Sequence, residues 1–197
     1  MKILVIHNSQ DQARAENIKI QFASQNTKHE HELIDATMYP SQPSVGIKRS
    51  FCKAIQKAKD NDWLDVMILE DDFKALCEGS ISMMMKTWHE YPLIDGVLLG
   101  SIYEGTPQIL GEGVAQVKDK FSALNSIIIP SNLYDKILNA EEPYHLDYWL
   151  GQIAKIPIYV CYPFLIIQND GFSYNTKTIT EYNRGLNLKY KLIDKKQ

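Results

Sequence analysis

The sequence predicts an open, mixed α/β sheet with helices on its faces. Ile3–Ile6 and Val66–Leu69 are apolar at every position, as strands are when helices cover both faces of the sheet. Between them, apolar residues recur at helical spacing, so the first third reads β-α-β-α-β. Each apolar run stops abruptly at polar residues, His7–Asn8–Ser9 after the first and Glu70–Asp71–Asp72 after the second.

The elements follow in order. After the first strand, Ala15, Ile18 and Phe22 mark a helix that Ser9 or Asp11 can cap. Residues 31–37, HELIDAT, give a second strand, and Pro40 and Pro43 mark the loop after it. Ile47, Phe51, Ala54, Ile55 and Ala58 form the apolar stripe of a second helix, with Ser44 as its expected cap and Lys48, Lys53 and Lys57 along much of the rest. Ile81, Met84, Met85 and Trp88 mark a third helix whose methionines read as core packing. A fourth strand is expected over 95–101. Gly96, Gly100, Gly105, Gly111 and Gly113 then supply five of the ten glycines, and the 100–113 stretch reads as a mobile segment able to close over a ligand. SALNSIIIP and IPIYVCYP read as further strands, with short helices near Tyr134–Asn139 and Asp147–Ala154. No repeat and no internal boundary stands out. The expected organisation is one domain over residues 1–175 followed by a basic tail, 176–197.

Composition narrows the function classes. With 197 residues, 45% hydrophobic and 23% charged, the chain is long enough to bury a sizeable core. The net charge of −3 gives no global basic field, so nucleic acid is not an expected partner. From Lys177 onward six Lys or Arg face Glu181 and Asp194, a local +4 that leaves −7 on the remainder. Cys52, Cys77 and Cys161 form no C-x-x-C pair, and three cysteines cannot all pair within one chain. That suits a reducing compartment, and with no signal-peptide core or membrane-length apolar run the expected location is the cytoplasm.

The acidic triplet is the main chemical signal. Ligands of open α/β sheets bind outside the carboxyl ends of the strands, so His7–Asn8–Ser9 and Glu70–Asp71–Asp72 should share one rim. Three adjacent carboxylates repel one another, and burial makes this worse. They therefore either point into water or have something positive among them. Their oxygens suit Mn²⁺ or Mg²⁺ better than zinc. Continued extension would project Glu70 and Asp72 together and Asp71 oppositely. Other chemistries lack their residues: there is no P-loop, no G-x-S-x-G elbow and no complete dinucleotide loop, since GEGVAQ at 111–116 lacks a third glycine.

VMILEDDF resembles the acidic motif of the GT-A nucleotide-sugar glycosyltransferases, and among them the bacterial lipooligosaccharide glycosyltransferases and animal procollagen galactosyltransferases. ILVIHNSQDQAR, LIDGVLLGS, FSALNSIIIPSNLYDKIL, HLDYWL and YPFLIIQNDGFS are similar to further stretches of that family, in its order, across roughly residues 1–175. The second helix departs from it, with Phe51 where the family commonly carries His.

The resemblance implies a single-domain GT-A-like, Rossmann-like fold. It also implies transfer of a hexose from a nucleotide sugar, UDP-linked, to an acceptor hydroxyl with inversion. The acceptor would be a saccharide, a lipid-linked sugar or a protein, and the cofactor Mn²⁺ or Mg²⁺. Asp72 is then the direct metal ligand, assisted by Glu70 and Asp71, while His7, Asn8, Arg14 and Asp35 border the nucleotide. Arg14 and Asp35 read equally as solvated residues of a helix and a strand end. Asp147 reads either as the N-cap of the helix after it or as the base that deprotonates the acceptor. A non-catalytic sugar- or nucleotide-binding relative, and a metal-dependent phosphoryl-transfer enzyme, are the alternatives.

Overall fold

The computed structural model describes residues 1–141, 145–173 and 178–180. The chain runs β1 (Lys2–His7), α1 (Gln12–Ala23), β2 (His31–Asp35), α2 (Pro43–Asp60), β3 (Asp65–Glu70), β4 (Phe73–Ala75), α3 (Ser80–Glu90) and β5 (Val97–Leu99). A hairpin of β6 (Pro107–Gly111) and β7 (Gly113–Val117) leads to β8 (Ser126–Pro130) and, after a 3₁₀ turn, α4 (Tyr134–Leu138). The short helix α5 (Leu146–Tyr148) continues as a π-helical turn, Trp149–Ile153, before β9 (Ile158–Tyr162), β10 (Ile166–Gln168), β11 (Gly171–Ser173) and β12 (Thr178–Thr180).

Eight strands form one sheet in the order β2-β1-β3-β8-β5-β9-β7-β6. β1 is parallel to both β2 and β3, β5 is parallel to β9, and β8 and β7 run against the other strands. The predicted architecture, an open mixed sheet flanked by helices, is the one observed. Alternation along the strands shows why the apolar runs are continuous. Leu4, Ile6, Val66 and Ile68 join a core with Phe51, Ala54, Ile55 and Ala58 of α2, Ile137 of α4 and Leu150. Ile3, Val5, Met67 and Leu69 face the other way, onto Ile18 of α1 and Ile81 and Met84 of α3. Both faces are dry, so neither alternate set can be polar.

The details depart from expectation where backbone constraints outrank pattern. The second helix begins at Pro43, whose fixed φ suits a first turn, and Gln42 precedes it without a side-chain cap, so Ser44 is not the cap. β5 is shorter than 95–101. Its entry at Gly96 lies so close to Pro157 that an added Cβ would stand 1.9 Å from the Pro157 carbonyl oxygen. Within the glycine-rich stretch, Pro107–Gly111 and Gly113 are strand, with β6 paired to β7 and β7 to β9. Gly113 takes φ +84 after the turn. The second half of the expected closing segment thus belongs to the far edge of the main sheet. The basic tail lies outside the described residues, apart from the backbone of β12. Among the described residues no helix is long and apolar enough to cross a membrane.

Candidate active site

The acidic turn lies where β3 ends and the chain bends through Asp71 and Asp72 into β4. β1 and β3 are parallel neighbours, with Ile6 opposite Glu70. The exit of β1 and the acidic turn therefore share one sheet edge, as the rim argument requires. Asp11 caps α1 by accepting from the Arg14 backbone N–H at 3.0 Å, which sets Arg14 in the first turn above the carboxylates. Arg14 Nη1 donates to Asp71 Oδ1 at 2.6 Å and lies 2.8 Å from Asp72 Oδ2. The positive group among the acids is this guanidinium. Burial opposes its charge, but Asp72 and Asp71 outweigh that and hold it protonated more firmly than an ordinary arginine.

Asp71 and Asp72 differ in what remains open on them. Asp71 Oδ2 accepts from the Asn8 backbone N–H and pairs with His7 Nδ1, each at 3.1 Å, so both its oxygens are engaged. Asp72 Oδ2 accepts from Gln168 Nε2 at 2.7 Å as well as facing Arg14, whereas Oδ1 is buried without a hydrogen-bond partner. Burial pushes the Asp72 carboxyl up, with Arg14 and Gln168 opposing. The backbone of the turn is also clamped. Asn17 Nδ2 donates to the carbonyls of Asp71 and Phe73 at 2.9 and 3.1 Å, and the Asn169 N–H donates to that of Asp72 at 2.7 Å.

A cavity of about 660 Å³ opens over this turn. Glu70, Asp71 and Asp72 line it with Asn8 and Arg14. Ala36–Pro40 with Pro43, Ser44, Ile47, Ser50 and Phe51 also line it, as do Tyr103, Ser122–Leu124, His145–Asp147 and Gln168. Glu70 is half-buried. Burial, reinforced by Asp72 and Asp71, raises its carboxyl to about 8, against the pull of Arg14, and Asp147 adds to the rise. Asp147 is likewise raised, chiefly by burial, and its Oδ1 accepts from the Tyr148 N–H at 2.8 Å.

The structure thus brings Asn8, Arg14, Glu70, Asp71, Asp72 and Asp147 to one cavity. Asp147 is not the helix cap: His145 holds that position, and Asp147 stands inside the first turn. His7 is buried behind the turn, bonded to Asp71, and is not part of the cavity lining. Asp35 is not part of it either. Its side chain is exposed on the outermost strand, and Lys53 Nζ reaches only its carbonyl. Thr37, two residues on, lines the cavity instead, with Oγ1 buried and lacking a partner. Thr37 and Tyr103 carry no sequence signal beyond isolated polarity. Gln168 stands within the YPFLIIQNDGFS stretch, which pointed to it without giving it a role.

A divalent cation fits this donor set in one mode. No cluster of three or more His, Cys, Asp or Glu among the described residues is arranged to enclose a metal. Mg²⁺ and Mn²⁺ do not require such a cage, because they commonly take one or two carboxylates and complete their shell with substrate phosphates and water. The unpartnered Oδ1 of Asp72 suits that role.

No family model matches the chain, and no curated protein matches it. Solved structures do. A glycosyltransferase involved in glycosylation of the major capsid of PBCV-1 superposes with a TM-score of 0.57 at 10% identity, over 89% of this chain and 95% of that one. A protein from STIV gives 0.52 at 13% identity, over 81% of each chain. CMP:2-keto-3-deoxy-manno-octonic acid synthetase, complexed with CTP, gives 0.51 at 7% identity, over 81% and 88%. At these identities the likeness establishes the fold alone, a GT-A-like, Rossmann-like α/β arrangement.

Proposed function

We propose that the chain is a metal-dependent glycosyltransferase that moves a hexose from a nucleotide sugar, UDP-linked, to an acceptor hydroxyl with inversion. The observation that carries the reading is the pairing of Asp72, with its unpartnered Oδ1, and Asp147 on one cavity, at the carboxyl edge of a sheet whose fold a glycosyltransferase shares.

Each residue has a task in it. Asp72 would hold the Mn²⁺ or Mg²⁺, which when bound neutralises charge on a departing diphosphate. Asp71 and Arg14 fix the turn. Glu70, raised to about 8, keeps its proton at neutral pH and can donate a hydrogen bond to a sugar or ribose oxygen. Thr37 offers an unpartnered hydroxyl in an otherwise mostly apolar wall, a setting that suits a nucleobase. Asp147, with its raised pKa, is matched to accepting the acceptor's proton. One base on the acceptor side suits a single displacement, which inverts the anomeric centre. The acceptor, on this reading, is a saccharide, a lipid-linked sugar or a protein.

Nucleotidyl transfer is a second use of the same fold. It suits this cavity less, because a triphosphate would meet Arg14 and His145 as the only basic residues in the described lining, with Arg14 already on two aspartates. The test is thermal denaturation with UDP and UDP-hexoses, in Mn²⁺ and in EDTA. UDP at about 100 times its Kd should add roughly 2.7 kcal/mol of stability. We expect that gain in Mn²⁺, much less of it in EDTA, and little difference between the two in Asp72→Asn. Equal UDP affinity with metal and with chelator overturns the metal-dependent reading.

A further inference from the structure

We infer that Gln168 is a positioning residue for the metal ligand: it and Arg14 occupy Asp72 Oδ2 and so present Oδ1 to the divalent cation. The inference rests on the metal-dependent reading above and assigns a task to a residue outside the acidic motif.

The geometry is asymmetric. Gln168 Nε2 lies 2.7 Å and Arg14 Nη1 2.8 Å from Oδ2, while Oδ1 is buried and unpartnered. A carboxylate free to rotate would exchange its two oxygens. Two donors on one of them oppose that rotation and leave the other without a protein partner. Gln168 is itself held, since its backbone N–H donates to Tyr103 Oη at 2.6 Å and it pairs with Phe73 across the small β10–β4 sheet. Its neighbour Asn169 donates from its side chain to Asn17 Oδ1 at 2.8 Å, and Asn17 in turn holds the Asp71 and Phe73 carbonyls. β10 therefore grips the backbone and the Asp72 side chain of one turn. Outer partners of this kind orient metal ligands, and losing one typically lowers metal affinity about 10–100-fold. Arg14 alone is a poorer substitute, because its Nη1 is shared with Asp71.

The test uses the full chain and Mn²⁺ itself, titrated with and without UDP and read by the electron paramagnetic resonance of the free ion. Gln168→Met keeps the side-chain length and removes the donor, and Gln168→Asn keeps the amide but withdraws it. Both should weaken Mn²⁺ binding by about 10-fold or more, with melting temperature and UDP affinity in EDTA unchanged. Mn²⁺ affinity at the wild-type level in both variants, while Asp72→Asn loses it, overturns the inference and leaves the metal-dependent reading standing. Loss of fold or of EDTA-insensitive UDP binding in step with Mn²⁺ in both variants makes Gln168 merely structural and also overturns it. No Mn²⁺ binding by the wild type overturns both.

Discussion

Glu70 gives the most direct physical test of the site, because its expected effect needs no substrate. Replacing it by Gln keeps the shape and removes the titration. In the folded chain its carboxyl rises from 4.5 to about 8, first through burial and then through Asp72 and Asp71. A group whose folded pKa exceeds its unfolded pKa binds more protons in the native state between the two values. Its stabilising contribution is fully present below the unfolded value and is lost as pH rises through the folded one. Three and a half pH units (8 − 4.5) at about 1.4 kcal/mol each set an upper bound near 5 kcal/mol. Glu70 is only half-buried and its titration is coupled to that of Asp72, so about 2 kcal/mol is the realistic size. Urea denaturation of wild type and Glu70→Gln from about pH 5 to about pH 8.5 reads this out. The two should be close in stability at the acid end, with the wild type falling behind by about 2 kcal/mol at the alkaline end. Parallel profiles, or a wild type that gains on the variant as pH rises, would refute the account of a buried acid held protonated.

Three other outcomes can be measured. Asp147→Asn should lower turnover by about 10²–10⁴-fold with UDP affinity in Mn²⁺ unchanged, and the variant amide oxygen can still accept from the Tyr148 N–H. Arg14→Met leaves two buried aspartates facing each other without their cation and should cost roughly 3–5 kcal/mol in chemical denaturation. A loss under about 1 kcal/mol would mean the turn is held by other contacts. Gly96→Ala forces a methyl onto the Pro157 carbonyl, so its melting temperature should fall well below that of the wild type.

How far the sequence led depended on whether a residue's role was local. β1 and β3 were readable because both faces are buried, and α2 because Phe51, Ala54, Ile55 and Ala58 all meet the sheet. β4 and β10 were not readable, since three residues carry no period and each exists only by pairing with the other. The β6–β7 hairpin was hidden by its glycines, of which Gly113 takes the positive φ that follows its turn. In the site, the acidic turn was evident from charge at a strand end. Its counter-charge was not: Arg14, read as a nucleotide contact, is held by Asp71 and Asp72, a pairing 57 residues apart in the chain. Asp35 lies outside the cavity lining because β2 is an edge strand whose side chains largely meet solvent.

The charge balance of the cavity links these observations. Asp71 is matched by Arg14, His7 and the Asn8 amide, and Glu70 is neutral near pH 7. Asp72 shares the same guanidinium and keeps an unpartnered oxygen, while Asp147 adds a further carboxylate to the lining. An anionic diphosphate entering alone would meet negative potential in a partly desolvated space, where such repulsion is poorly screened. A divalent cation held by Asp72 would offset that negative charge. On the proposed reading, donor and metal therefore bind as one unit, each weakly without the other. The reciprocity of linkage makes this checkable from either side: the factor by which Mn²⁺ tightens UDP must equal the factor by which UDP tightens Mn²⁺. In Asp72→Asn both factors should fall together toward one, because the open carboxylate is the contact through which each ligand senses the other.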